Sequence, residues 1–287
     1  MLKPISYDPA KKYEIRVYDV EYRRAVGESW LARIYQPTGT GPFPALLDVH
    51  GGAWSAGDRL NNAHADQELA ATGIVVMAID LRVAPEHPYP AQVADVNYAT
   101  RWLKAHSGDF NADGRLLGGI ASSSGGHTLM LSAMRPNDPR YSVLPLDEAS
   151  DADATIAYIV ALWPVLDSYA RYTYAKGSGL ERLVSATEGY FLTEEAMKEG
   201  NPQLILERGE DAMLPPTLII QGTADNNVPL DIPRRFVEYF SKAGGEIELE
   251  LFPGMPHGFA GWTRPEAGRA LHLIKQFMGR RLAAYDH

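Results

Sequence analysis

The chain contains no cysteine among its 287 residues, which removes a disulfide scaffold, a thiolate nucleophile and any cysteine-held zinc or iron–sulfur centre. Long apolar runs are also missing. The longest nearly unbroken one, Ala157 to Leu166, falls far short of the roughly 20 residues that a membrane helix needs. Positive charge is scarce: 27 Lys and Arg stand against 36 Asp and Glu, a net charge of −9 that repels phosphate backbones and anionic lipid. Neither a nucleic acid nor a membrane is therefore expected as a partner. The opening residues, MLKPISYDPAKKYEIR, lack the apolar core of a secretory signal, so the expected location is cytoplasmic. No G-x-G-x-x-G follows a strand and no G-x-x-x-x-G-K-[ST] occurs, so neither a dinucleotide nor a nucleoside triphosphate is indicated. His64, His106, His272 and His287 show no paired ligand spacing, so no metal and no other cofactor is expected. Self-similarity at 20 to 50 residues is absent as well, which excludes solenoids and propellers.

What remains is an ordinary globular composition, 45% apolar and 22% charged, with enough length for a sizeable core. The first 35 residues alternate as half-buried antiparallel strands do. Tyr13, Ile15 and Val17 share one face, Trp30, Ala32 and Ile34 another, and Ala25-Val26-Gly27-Glu28 reads as the turn between them. From Pro44 onward the strands become short continuous apolar runs, Ala45 to Val49 and Ile74 to Ile79, as expected of parallel strands covered on both faces. Helical stretches alternate with them: Asn61 to Thr72, ending at Gly73, and Ala91 to Ala105, with Val93, Val96, Ala99 and Leu103 on one stripe. The beat continues with strand Leu116–Ala121, helix Gly125–Met134, strands Thr155–Trp163 and Thr217–Gln221, helix Leu230–Ala243, strand Ile247–Phe252 and helix Pro265–Leu282. This pattern predicts one α/β domain over residues 1–287, a mostly parallel twisted sheet of about eight strands with helices on both faces. Residues 164–216 are too long for a single crossover and rich in tyrosine, and are expected to form a small lid inserted in that domain.

Chemistry is concentrated where strands end. Gly119-Ile120-Ala121-Ser122-Ser123-Ser124-Gly125-Gly126-His127 lies where a strand hands over to a helix. A nucleophile on such a sharp turn needs small residues two before and two after it. Ser122 would place Ile120 at the first of these positions, whereas Ser123 is flanked by Ala121 and Gly125 and Ser124 by Ser122 and Gly126. Ser123 is the favoured candidate and Ser124 the alternative; read alone, such a string is more often a plain turn or helix cap than a nucleophile. His50-Gly51-Gly52-Ala53-Trp54, directly after an apolar strand, offers free backbone amides for an oxyanion. Asp225 and His257 each follow a later strand, an Asp that alone would be a turn-maker and a His that alone would be a packed residue. The chain order Ser123, Asp225, His257 and the shared placement beyond strand carboxyl ends make them jointly a hydrolytic triad candidate. His87 lies in a proline-fixed loop, Asp80 to Pro90, and is read as structural.

These strings resemble those of the α/β-hydrolase superfamily, and specifically its esterase branch similar to hormone-sensitive lipase and small carboxylesterases. His50 to Trp54 resembles the branch's H-G-G-G motif, with Ala53 in place of the last glycine. Asp80 to Ala91 resembles its D-Y-R-L-A-P-E-H-P-F-P-A segment, and Ala121 to Gly126 resembles G-D-S-A-G-G in a register that selects Ser123. Gly222 to Asp225 and Pro256 to Phe259 are similar to its acid and base motifs. The resemblance implies an α/β-hydrolase fold and a serine carboxylic-ester hydrolase that needs only water beside a small-molecule ester of small to medium acyl size. Ser123 would attack, His257 would carry the proton, Asp225 would orient it, and the amides of Gly52, Ala53 and Ser124 would form the oxyanion hole. Trp54, Trp163, Phe259 and Trp262 are candidates for an apolar substrate pocket. Two other readings stay open: an arylformamidase-like amide hydrolase, whose H-G-G-x-W string Trp54 matches, and a non-catalytic ligand receptor on the same fold. An edge strand in the last βα units leaves a homo-oligomer open.

Overall fold

The computed structural model describes residues 7–25, 27–259 and 265–283. Strands β1 (Ile15–Ala25) and β2 (Glu28–Pro37) pair antiparallel from Ile15↔Pro37 to Ala25↔Glu28, the hairpin that the alternation predicts. Val26, in its turn, lies outside the described residues. The following strands are β3 (Phe43–Val49), β4 (Val75–Ile79), β5 (Ala112–Ser122), β6 (Ile159–Leu162), β7 (Thr217–Gly222) and β8 (Ile247–Phe252). Together they form one eight-stranded sheet in the order β1-β2-β4-β3-β5-β6-β7-β8, antiparallel as far as the β2/β4 pair and parallel from β4 onward. The sheet expected from sequence is the sheet observed.

Helices α1 (Ala63–Ala70), α2 (Ala91–His106) and α3 (Ser124–Met134) follow β3, β4 and β5. Between β6 and β7 the chain inserts α4 (Ser168–Gly177), α5 (Glu181–Phe191), α6 (Glu194–Glu199) and α7 (Pro202–Glu207). Helices α8 (Asp231–Lys242) and α9 (Pro265–Ala283) follow β7 and β8. The continuous apolar runs are explained by two cores. Ala45, Leu47 and Val49 of β3 and Val75, Met77 and Ile79 of β4 pack with Val93, Leu129 and Phe236 of α2, α3 and α8. The intervening Leu46, Val76 and Ala78 pack on the opposite face with Leu69 of α1 and Ile274 and Phe277 of α9. A strand alternates its side chains between faces, so a strand covered on both must be apolar at every position. A third cluster joins Trp54 to Tyr172, Val184, Tyr190 and Phe191 of the inserted helices.

Three boundaries differ from the sequence reading. The first helix starts at Ala63, not Asn61, because both asparagines hold other groups: Asn61 Oδ1 accepts the Asp58 amide at 3.3 Å and Asn62 Nδ2 donates to Asp48 at 3.0 and 3.1 Å. The strand expected over Thr155–Trp163 is regular only from Ile159 to Leu162, and Trp163 leaves it with φ of 40°. The strand expected from Leu116 begins at Ala112, with its register against β3 shifting between Pro44 and Leu46. Because β3 lies between β4 and β5, the connections from β3 and β4 depart in opposite directions, and a crevice opens beyond the carboxyl ends of β3 and β5.

One pair of buried carboxyls lies within the fold, Asp48 and Asp66. Asp48 of β3 and Asp66 of α1 are 2% and 1% exposed, and Asp66 finds no hydrogen-bond donor among the described residues. Burial pushes both carboxyls above the ordinary carboxylate range, Asp48 to about 7, and the charge of Asp48 raises Asp66 further. A carboxyl that binds its proton more tightly in the fold than in the unfolded chain stabilises the fold at acid pH and loses that contribution as pH rises. The window here runs from the unfolded value of about 3.9 up through the raised folded values. Asp66→Asn, which keeps the shape and removes the second charge, is expected to shrink the fall in Tm between pH 5 and pH 8. Thermal unfolding of both proteins at the two pH values checks this; an unchanged fall would place the pH sensitivity elsewhere.

Candidate active site

Ser123 occupies the turn between β5 and α3 with φ of 51° and ψ of −119°. A serine held outside its favoured backbone regions costs about 1–3 kcal/mol, so the surroundings must enforce the conformation. Three backbone bonds do so: Ser123 N donates to Leu162 O at 2.9 Å, and Ser123 O accepts from Val165 N at 3.0 Å and Gly126 N at 3.1 Å. The strand β6 and the start of the insertion thus grip the turn from one side. On the other side, a methyl group at Gly125 would run into the backbone oxygens of Val49 and His50. The small residue expected two places after Ser123 is a matter of this approach.

The three neighbouring serines take three different tasks. Ser122 Oγ accepts from the amide of Gly51 at 3.1 Å, and Ser124 Oγ accepts from the amide of Trp54 at 3.2 Å. Both therefore brace the glycine loop after β3. Ser123 Oγ alone of the three reaches the histidine, donating to His257 Nε2 at 3.0 Å. On the far side of that ring, His257 Nδ1 donates to Asp225 Oδ2 at 2.8 Å. Asp225 is buried and saturated: its Oδ1 accepts the amides of Asn227 and Val228, each at 2.8 Å, and its Oδ2 also accepts Gln221 Nε2 at 2.9 Å. Such a carboxylate fixes the ring's tautomer, leaving Nε2 as the acceptor for the serine proton. Ser123, Asp225 and His257, far apart in sequence, are thus brought into one relay.

The loop after β3 presents the amides. Gly52 has φ of 122°, and a side chain there would collide with the Ala56 carbonyl, so only glycine fits. Ala53 follows with φ of 52°, a left-handed conformation that an alanine adopts at about 1–2 kcal/mol. The amides of Gly52, Ala53 and Ser124 have no acceptor among the described residues. His50 turns its Nδ1 back to the Gly51 carbonyl at 2.6 Å, and burial pushes its imidazole below the usual range. The segment Asp80 to Gln92 holds this loop from behind. Asp80 accepts the amide and guanidinium of Arg59, both at 2.9 Å, while Ala84 N and Gln92 Nε2 donate to the Trp54 carbonyl at 2.9 and 2.7 Å. His87 lies in this segment and donates its backbone amide to the Val83 carbonyl at 3.0 Å.

A cavity of about 290 Å³ opens onto Ser123, with Gly51 to Ala53, Trp163 and His257 on one side. Asn61, Asn62, Arg182, Leu183 and Asn227 complete it, none of which the sequence reading selected. Of the four aromatics expected to line a pocket, Trp163 does so, and its ring meets those of His257 and Phe259 edge-on at 6.2 and 5.3 Å. Phe259 is buried behind it, 3% exposed. Trp54 is a correction: it is 1% exposed, stacks on Tyr190 at 5.1 Å and donates its ring N–H to His127 Nδ1 at 3.2 Å. Its left-handed φ of 61° turns the indole from the cavity into the core beneath the inserted helices. Trp262 lies outside the described residues.

Behind the cavity, Arg171 of α4 is 1% exposed and has only neutral partners: Asn227 Oδ1 accepts from its Nε and Nη2 at 3.2 and 2.8 Å, and Thr187 Oγ1 from its Nη1 at 3.2 Å. Burial lowers its guanidinium to about 10 and the nearby Asp225 charge opposes that, so it remains a cation at neutral pH, set against the carboxylate. Among the described residues no group of three His, Asp or Glu could hold a metal ion, and no helix is long and apolar enough to cross a membrane. Gly125→Ala is expected to destabilise the fold by about 1–3 kcal/mol, because the added methyl meets backbone that cannot rotate away. A thermal melt checks this, and a wild-type Tm would mean that α3 can move off β3 freely.

Known proteins share this fold. The BD-FAE family model matches residues 33–240. Esterase LipC of Mycobacterium tuberculosis is 32% identical over 254 residues, 84% of this chain and 59% of LipC. Carboxylesterase NlhH of the same organism is 28% identical over 299 aligned positions, 96% of this chain and 87% of NlhH. This chain spans only 59%, 54% and 47% of LipC and of two further curated relatives, a probable carboxylic ester hydrolase and a probable methylesterase. Among solved structures, Thermogutta terrifontis esterase 2 phosphoramylated by tabun superposes with a TM-score of 0.75 at 26% identity, covering 91% of this chain and 93% of that one. The same esterase phosphorylated by paraoxon gives 0.73 at 25% identity with the same coverages. Its propionate-bound form gives 0.72 at 27%, covering 93% of each. With a family match across well over half its length and a superposition on an esterase that covers 91% of it, the chain belongs to the BD-FAE family and has the α/β-hydrolase fold.

Proposed function

We propose that the chain is a serine carboxylic-ester hydrolase acting on small to medium acyl esters through an acyl-enzyme. The observation that carries this reading is the Ser123–His257–Asp225 relay, at 3.0 and 2.8 Å, opening into a cavity beside unpaired backbone amides. Ser123 Oγ attacks the ester carbonyl as its proton passes to His257 Nε2. Asp225 holds the ring and stabilises the imidazolium that forms. Negative charge on the carbonyl oxygen is received by the amides of Gly52, Ala53 and Ser124, each worth about 3 kcal/mol in comparable sites. Collapse of this intermediate expels the alcohol, which takes the proton from His257. Water then attacks the acyl-serine by the same route, with His257 as base, and the acid leaves. The cavity, about 290 Å³, suits a short acyl group. Residues 164–216 serve as its lid, with α5 supplying Arg182 and Leu183.

Analogy adds support: Thermogutta terrifontis esterase 2 is known phosphorylated by paraoxon and bound to propionate. An amide hydrolase would use the same triad, and Trp54, the residue that distinguishes its H-G-G-x-W string, has its ring turned into the core and gives that reading no contact with substrate.

Hydrolysis of p-nitrophenyl acetate, butyrate, octanoate and palmitate, beside an aryl formamide and an anilide, is expected to favour the short esters. Ser123→Ala should abolish turnover and Ser124→Ala should spare much of it, since Ser124 contributes its backbone amide and a brace to the loop. Paraoxon should add one diethylphosphoryl group, found by mass spectrometry on Ser123. The reverse pattern between the two serines would overturn the assignment, and preference for the formamide would replace the ester reading. Asp225→Asn is expected to lower kcat by up to about 10⁴ through loss of the correct tautomer. A rate near wild type would mean that another group orients His257.

A further inference from the structure

The cavity over Ser123 is unbalanced in its hydrogen-bonding groups. Arg182 lines it from α5 and forms no ion pair among the described residues. Its helix offers no remedy, since the i+3 and i+4 neighbours are Ser185 and Ala186. Asn227 turns its carbonyl oxygen to Arg171, at 2.8 and 3.2 Å; a guanidinium only donates, so the amide N–H₂ of Asn227 is left over. Asn61 is oriented alike, because its Oδ1 accepts the Asp58 amide at 3.3 Å and leaves its N–H₂. Only Asn62 faces the other way: its N–H₂ is spent on Asp48, at 3.0 and 3.1 Å, and its carbonyl oxygen remains. Apart from the reacting groups, the cavity therefore holds a guanidinium and two amide donors against one amide acceptor. The charge of Asp225 does not offset Arg182, because it is set against the buried Arg171.

We propose that the substrate ester carries a carboxylate, seated against Arg182 and accepting from Asn61 and Asn227. This rests on the ester-hydrolase reading and adds the substrate's charge to it. A carboxylate has only acceptors, and a guanidinium fork matches its two oxygens. A neutral alkyl chain makes no hydrogen bond to these three donors and leaves them to water, whereas a carboxylate pairs with all of them. The carboxylate can stand on the acyl side, as in a dicarboxylic half-ester, or on the alcohol side, as in an acylated hydroxy acid.

Two matched pairs of esters separate these sources. p-Nitrophenyl hemiglutarate is compared with p-nitrophenyl 5-methylhexanoate, and 4-carboxyphenyl acetate with 4-isopropylphenyl acetate, the isopropyl group replacing the carboxylate in each. The ratio of kcat/KM, charged over neutral, is expected to fall about tenfold or more in Arg182→Gln for one pair, the size of a lost charge-assisted hydrogen bond. Arg182→Lys should restore part of it, and added salt should raise KM for the charged ester of that pair alone. The pair that responds identifies the side. A second readout needs no turnover: calorimetry of glutarate and of 4-hydroxybenzoate with Ser123→Ala should show binding that Ser123→Ala/Arg182→Gln lacks. Ratios untouched by Arg182→Gln, together with no Arg182-dependent binding, would overturn the proposal while Ser123-dependent hydrolysis kept the ester reading. Arg182-dependent binding without hydrolysis of any ester would keep the anion site and remove the ester reading.

Discussion

The backbone of Ser123 is the constraint on which the site depends. Its left-handed turn places the side chain at the crest between β5 and α3, and nothing local favours that conformation. It persists because a carbonyl of β6, an amide of the insertion and the first turn of α3 all bond to the same residue. The parallel sheet makes this simultaneous grip available: adjacent strands end at the same level, so the residues just beyond β3, β5 and β6 meet in one place. The same levelling brings the loops after β7 and β8 close enough for Asp225 and His257 to join. The strain is local, and the fold as a whole supplies what holds it.

A second theme is the division of labour among like residues. Ser122, Ser123 and Ser124 differ by one position each, yet the first and last face the glycine loop and the middle one faces His257. Three asparagines around the cavity are likewise sorted by their partners into donors and an acceptor. Two arginines of the insertion differ as sharply, Arg171 buried beside Asn227 and Arg182 exposed over the cavity. Residue type sets what each group is able to do, and the neighbour's polarity selects which half of it is used.

Much of the sheet was legible because double-sided burial writes itself as unbroken apolar runs, as in Ala45 to Val49 and Val75 to Ile79. The relay was legible from strand-end placement and chain order. Trp54 was not: its string resembles one seen around a substrate, but the direction of its ring follows from a φ of 61° that no propensity announces. Asn61 was absorbed into a helix by periodicity, because its capture by the Asp58 amide is a local turn bond rather than a pattern. Arg182 was missed since it reaches the cavity only after a four-helix insertion has folded, a packing with no short-range signature, and Asn227 since the side chain of a loop residue beside Asp225 is oriented by Arg171 of that insertion.

The indole of Trp54 belongs to two structures at once. Its backbone follows directly on Gly52 and Ala53, and its ring is shared with Tyr190, Phe191 and His127 of the cluster beneath the inserted helices. His127 continues the chain, donating from Nε2 to the Gly200 carbonyl at 2.7 Å, and burial pushes its imidazole down to about 4, so it stays neutral. Tyr89 adds a separate fastening, its amide on the Tyr190 carbonyl at 2.7 Å and its hydroxyl on Glu199 at 2.6 Å. The insertion is consequently a lid that is also a keystone: whatever displaces it must also unseat the loop that carries Gly52 and Ala53. The inner face of these helices is thereby tied to the glycine loop through one shared aromatic cluster, while their outer face carries no such tie.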